Sequence, residues 1–164
     1  MRRTSLIGGL AVIAGLAGTT TAAAEERTCR GSLGAITVDN LRVPQGGSCT
    51  LAGTTVKGTL KVERGATLRA TSIRVVGNVQ AENHKQVNVS GARVGGSVQI
   101  KQGGGSSLSD NAVGGDVQYF TNVGAISIRS NRIDGNLQCK ENRPAPTGGG
   151  NVVQGNKEDQ CARL

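Results

Sequence analysis

The segment Val75-Val76-Gly77-Asn78-Val79-Gln80-Ala81 constrains this chain more than any other, because close copies of it return at a nearly fixed interval. The copies are Val56-Lys57-Gly58-Thr59-Leu60-Lys61-Val62, Val94-Gly95-Gly96-Ser97-Val98-Gln99-Ile100, Val113-Gly114-Gly115-Asp116-Val117-Gln118-Tyr119 and Ile133-Asp134-Gly135-Asn136-Leu137-Gln138-Cys139, with a worn copy from Val153. Their glycines, Gly58, Gly77, Gly96, Gly115, Gly135 and Gly155, are spaced 19, 19, 19, 20 and 20 residues apart. Many glycines with few large apolar residues also suit a disordered chain, but disorder has no reason to keep such a register. A short fixed period with apolar alternation inside each repeat specifies a solenoid in which one repeat makes one coil.

The alternation predicts what faces inward. One strand per coil carries Leu60/Val62, Val79/Ala81, Val98/Ile100, Val117/Tyr119 and Leu137/Cys139. A second carries Cys49/Leu51, Leu68/Ala70, Val87/Val89, Ser106/Leu108 and Ile126/Ile128, and the Val-x-Gly segment with residues such as Ile73 makes a third. Three short strands per repeat give an all-β fold, a single-stranded, right-handed, triangular parallel β-helix of five or six coils stacked at ~4.8 Å. So narrow a core takes Val, Ile, Leu and Ala, which accounts for a chain with one Tyr, one Phe and no Trp. The repeated glycines are expected where the wall turns sharply or packs closely.

Met1-Arg2-Arg3, the apolar run Leu6 to Gly18 and Ala22-Ala23-Ala24 read as a signal peptide over residues 1–24, cleaved after about Ala24. The run is too short to span a bilayer, and no other segment is apolar enough, so no transmembrane span is expected after cleavage. The chain is then secreted, to the exterior or the periplasm. Residues 25–164 form one solenoid domain, with an N-terminal cap over 25–35 and a C-terminal cap over 140–164. Losing Arg2 and Arg3 leaves 17 basic against 11 acidic residues, a net charge of +6.

In an exported chain the four cysteines should be oxidised. Cys49 and Cys139 fall in inward columns near the two ends, and Cys29 and Cys161 each lie about one coil away. Adjacent coils bring Cα atoms within disulfide range, so the expected pairs are Cys29–Cys49 and Cys139–Cys161. The alternatives would join opposite ends of the rod. A β-helix left open exposes strand edges and invites self-association; pinned terminal turns, with the loop Arg143-Pro144-Ala145-Pro146-Thr147-Gly148-Gly149-Gly150, look like caps.

Polar columns are expected outside and at the corners. Gln80, Gln99, Gln118 and Gln138 share one position, and Asn111, Asn131 and Asn151 share another. Stacked amides of this kind hydrogen-bond from coil to coil. Arg74, Arg93 and Arg132 form a third column, interrupted by Ala112, which with Lys57 and Lys61 would make a basic, anion-binding wall.

The recurring pattern, clearest in Val56-Lys57-Gly58-Thr59-Leu60-Lys61-Val62-Glu63-Arg64-Gly65-Ala66-Thr67-Leu68, resembles bactofilins, the bacterial polymer-forming β-helix proteins. The tail from Cys139 to Cys161 resembles that of uncharacterised secreted bacterial proteins. The resemblance spans about Ile36 to Gly155 and implies the fold; the leader and the cystines set this chain apart from cytoplasmic bactofilins.

Nothing in the sequence assembles a catalytic site. The one histidine, His84, falls in the polar stretch Glu82-Asn83-His84-Lys85 and is expected in a solvated loop. The glycine runs lack the lysine and the strand-helix context of a phosphate loop, and no metal-ligand or cofactor motif is present. The expected function is therefore a non-catalytic structural or adhesive component of the bacterial envelope or exterior. The alternative is a binding module for an anionic polysaccharide or cell-wall polymer along the basic wall. Self-association remains open, and no nucleic-acid partner is expected.

Overall fold

The computed structural model describes residues 24–164, so that the expected signal peptide, apart from its last residue, lies outside the described residues. The chain winds through three parallel sheets in turn; each of seven coils gives one strand to each, and an eighth begins with a single strand in the first. The first wall consists of Glu26–Thr28, Asn40–Val43, Leu60–Val62, Val79–Glu82, Val98–Lys101, Val117–Phe120, Leu137–Lys140 and Lys157–Asp159. The second consists of Gly31–Leu33, Ser48–Ala52, Thr67–Thr71, Gln86–Ser90, Gly105–Ser109, Ile126–Arg129 and Thr147–Gly149. The third is built from two-residue strands, Thr37–Val38, Thr55–Val56, Arg74–Val75, Arg93–Val94, Ala112–Val113, Arg132–Ile133 and Val152–Val153. The result is an all-β parallel solenoid with three sheets, as the period requires.

The solenoid has about seven turns rather than five or six. The first coil escapes a period search because it is short: Arg27 pairs with Leu41, only 14 residues on, whereas Leu41 pairs with Leu60 at 19. The last coil keeps its spacing but loses its apolar signature, with Lys157 in register with Leu137. Both stretches expected as caps thus carry strands of the sheets.

Every inward pair predicted from the alternation is buried. The one aromatic among them, Tyr119, is fully buried and fits because Ser106 across the interior is small; their hydroxyls hydrogen-bond at 3.1 Å. Burial pushes the Tyr119 phenol up to about 12, the Ser106 contact opposing this only in part. Burying a column of Val, Leu and Ile side chains stabilises by about 1.5–3 kcal/mol per residue.

The corners explain the remaining repeat residues. Where the third wall meets the first, each repeat glycine lies on the coil before it: a Cβ on Gly77 would fall 2.6 Å from the Gly58 carbonyl oxygen. The following polar residue ties the stack. Asn78 Oδ1 accepts from the Ser97 amide at 2.8 Å, Ser97 Oγ from Asp116 at 3.1 Å and Asp116 Oδ1 from Asn136 at 2.7 Å.

The other two corners turn through left-handed residues, such as Ser72, Asp110 and Ser130 after the second wall and Asn83, Gln102, Thr121 and Glu141 after the first. The residue after each of these is buried, which is how Ile73, His84, Asn111, Asn122, Asn131 and Asn142 come to lie inside.

Both expected cystines are present, with Cα separations of 5.7 Å for Cys29–Cys49 and 5.3 Å for Cys139–Cys161. Neither joins in-register residues. Cys49 is paired in the sheet with Gly31 and Cys139 with Asp159, so each bridge links residues two positions off register, one at each end. Such bonds form and persist in an oxidising compartment.

Candidate functional site: a basic trough on the third wall

Two-residue strands, each with its second residue buried, leave the third wall one outward column within its strands and a second just past them. One runs Thr55, Arg74, Arg93, Ala112, Arg132 and Val152 in strict parallel register. Just beyond these short strands Lys57, Val76, Gly95, Gly114 and Asp134 follow, so that at the middle coils Arg93 and Ala112 each have a glycine beside them, while Val76 follows Arg74 and Asp134 follows Arg132. The outcome is an open groove of about 400 Å³ lined by Arg74, Val76, Arg93, Gly95, Ala112, Gly114, Arg132 and Asp134.

Its arginines differ from the cations at the start of the solenoid. Arg42 is shared between Glu26 at 3.0 Å and Glu63 at 3.5 Å, and Lys57 is tied to Asp39 at 3.0 Å. The Lys57 ammonium, by its hydrogen bond first, holds the Asp39 carboxyl below its ordinary value. Arg74 and Arg93, in contrast, are directly opposite on adjacent strands, and among the described residues neither meets a carboxylate within ion-pair distance. Like charges so placed are mildly destabilising. Asp134 stands at one end of the groove, 3.6 Å from Arg132 and also accepting from Gln154 at 2.9 Å. Arg93 and Arg132 are two coils apart, about 10 Å at the ordinary strand spacing, with Ala112 leaving a dip between them.

The five residues expected to form one basic wall therefore divide. Arg74, Arg93 and Arg132 line the groove, Lys57 is occupied by Asp39 just past the third wall, and Lys61 faces outward from the first wall in register with Gln80. Sequence spacing alone does not separate Lys61 from the arginines; the positions of the corners do.

The polar columns also divide. Gln80, Gln99, Gln118 and Gln138 share an outer column of the first wall, where Gln118 Nε2 donates to Gln138 Oε1 and Gln138 Nε2 to Glu158 Oε2, both at 2.9 Å. Asn111, Asn131 and Asn151 lie inside a corner instead of on the surface, each at most 6% exposed. Asn111 Nδ2 donates to Asn131 Oδ1 at 2.9 Å and to the Val89 carbonyl at 3.1 Å, and Asn131 repeats this with Asn151 and Leu108. A second ladder, Asn122 to Asn142 to Gln160, occupies the other left-handed corner. Its signal in the sequence is an asparagine following Thr121 and Glu141, obscured because the two preceding coils hold His84 and Gly103 at that position.

His84 is not solvated. The left-handed Asn83 turns it inward, where it is 3% exposed and neither ring nitrogen meets a hydrogen-bond partner among the described residues. Desolvation lowers its pKa, and the Gly105 backbone opposes this more weakly. Among the described residues no group of three His, Cys, Asp or Glu side chains is placed to hold a metal.

No family model, curated protein or solved structure matches the chain. The resemblance to bactofilins therefore rests on the repeat residues alone.

Proposed function

We propose that the chain is an exported, non-catalytic solenoid that serves as a structural or adhesive component of the bacterial envelope or exterior. The observation that carries this reading is a rod whose interior is filled by its own core from end to end, with one cystine near each terminus. Two cystines imply export, and the apolar run ahead of Ala24 supplies the means. A filled core and short corners leave the outer walls as the working surfaces.

Fractionation of a bacterium producing the full chain tests this. The protein is expected in the envelope, periplasm or medium with all four cysteines oxidised. Recovery from the cytoplasm with free thiols would overturn it.

A second reading, a binding module for an anionic polysaccharide or cell-wall polymer, is favoured by the trough. Uncompensated arginines spaced by the coil repeat suit a polymer whose own charges repeat along its length, and Arg guanidinium groups match carboxylate and phosphate oxygens in two-pronged hydrogen bonds. The two readings meet if adhesion is what the third wall provides.

A further inference from the structure

We propose that the trough seats one phosphate monoester carried on a sugar, with the phosphate between Arg74 and Arg93 and the sugar over Ala112 toward Arg132 and Asp134. The proposal rests on the reading of the third wall as a surface for an anionic polymer, and narrows that polymer to one bearing phosphorylated sugars. The three arginines of the column are not equivalent. Arg132 already has a counter-charge in Asp134 at 3.6 Å, so that end of the groove is close to neutral. Arg74 and Arg93 stand opposite each other across one strand spacing, ~4.8 Å, and among the described residues neither has a carboxylate within ion-pair distance. The demand for negative charge is therefore concentrated at one point, and it amounts to two charges.

One carboxylate placed there meets half of that demand with two oxygens. A phosphate monoester at neutral pH brings close to two charges and three acceptor oxygens, so each guanidinium can take one oxygen of its own and share the third in a two-pronged contact. A sulfate ester or a phosphodiester carries a single charge and leaves the pair half neutralised. Access follows from the neighbours: Gly95 adds no side chain after the Arg93 strand, and the residue in register with Arg93 on the next coil is Ala112. The dip at Ala112 lies in the stretch of about 10 Å between Arg93 and Arg132, where the uncharged body of a sugar ring belongs, and the groove of about 400 Å³ is of ordinary size for a small-molecule site. At the far end a donor, Arg132, stands beside an acceptor, Asp134. The contacts that Asp134 receives from Arg132 and Gln154 both fall on Oδ1, which leaves Oδ2 to accept from a hydroxyl. A donor next to an acceptor suits neighbouring sugar hydroxyls, whereas the arginine pair can only donate.

Titration of the exported chain with glucose 6-phosphate, glucose 6-sulfate, glucuronate and methyl phosphate at constant ionic strength, followed by NMR of the arginine Nε–Hε signals, tests this. At pH 7.5 glucose 6-phosphate is expected to bind at least tenfold more tightly than glucose 6-sulfate, which has the same shape with one charge, or than glucuronate. It should also bind more tightly than methyl phosphate, which has the charged group but no sugar to reach Arg132 and Asp134. Its advantage over the sulfate should shrink toward nothing at pH 5, because the phosphate takes up its second proton with a pKa of about 6. Arg74→Gln and Arg93→Gln should each abolish that advantage, while Lys85→Gln should leave it intact. The phosphate, sulfate and carboxylate bound alike, and all lost in the two arginine variants, would leave an anion-binding trough but overturn the phosphate seat. A phosphate preference that survives both arginine variants, or methyl phosphate bound as tightly as the sugar phosphate, would overturn it as well. Arginine signals that respond to none of the four probes would overturn the phosphate seat together with the trough as an anion site.

Discussion

Gly103 lies directly against the imidazole of His84, one coil away, so closely that a Cβ at Gly103 would overlap the ring at Nδ1 and Cε1. The interior at this corner was shaped for one buried ring, and a glycine in the next coil makes the space. Neighbouring coils fill the same corner with Asn122 and Asn142. His84 and Gly103 thus form a unit that replaces two rungs of an amide ladder.

Gly103→Ala should therefore destabilise the protein by about 1–3 kcal/mol, the usual cost of overpacking a filled core. His84→Ala should remove most of that penalty, giving a favourable coupling in a double-mutant cycle measured by urea unfolding. Additive effects would mean that the ring is not what excludes the methyl group.

The same ring makes stability depend on pH. Its pKa in the folded protein is lowered from the ordinary 6.5 by burial. Above pH 6.5 both states are neutral at this position and its contribution is at its most favourable. As pH falls below 6.5 only the unfolded chain takes up the proton, so stability declines until the pH drops below the lowered native value. Unfolding free energies measured from pH 7.5 to 5 should fall with acidification, and His84→Gln should flatten the slope. An unchanged slope in that variant would assign the dependence to other groups.

Buried and exposed amides should respond differently to the same change. Asn131→Leu leaves the Asn111 backbone N–H without its partner inside a corner and takes one hydrogen bond each from Asn111 Nδ2, Asn151 Oδ1 and the Leu108 carbonyl, at a cost of about 1–3 kcal/mol. Gln99→Leu, on the outer face of the first wall, should change stability by no more than about 0.5 kcal/mol. Thermal unfolding of the two variants separates them, and equal losses would place the two amides in the same kind of environment.

How far the sequence reached follows from what periodicity can and cannot carry. The 19- or 20-residue spacing of Gly77, Gly96, Gly115 and Gly135 specified coils, and the alternation Val98-Gln99-Ile100 specified a face, so inward and outward residues of the strands could be read directly. The corners could not. A left-handed residue such as Asn83 or Ser130 breaks the alternation and sends the next side chain inward, which is why His84 is expected in a solvated loop and why spacing alone does not tell the inward Asn131 column from the outward glutamine column. The cystine pairs were legible although their register was not, because a bridge tolerates an offset of two residues where the chain rounds a corner. Of the basic residues, the arginine column was legible from its spacing. The compensation of Lys57 by Asp39 was not, because Asp39 belongs to the irregular start of the solenoid.

The third wall as the working surface is the claim on which the account turns, and retention on an acidic polysaccharide such as polygalacturonate tests it most directly. Net positive charge alone gives weak retention on any polyanion, so Arg74→Gln, Arg93→Gln and Arg132→Gln together must be compared with Lys85→Gln, Lys140→Gln and Arg143→Gln together. The parent should bind with an affinity that falls as salt rises, since the contacts are exposed to solvent. The arginine variant should lose binding at least tenfold while the control keeps most of it. Equal loss in the two variants would show that total charge, and not the trough between Arg74 and Asp134, governs binding, and would contradict the account.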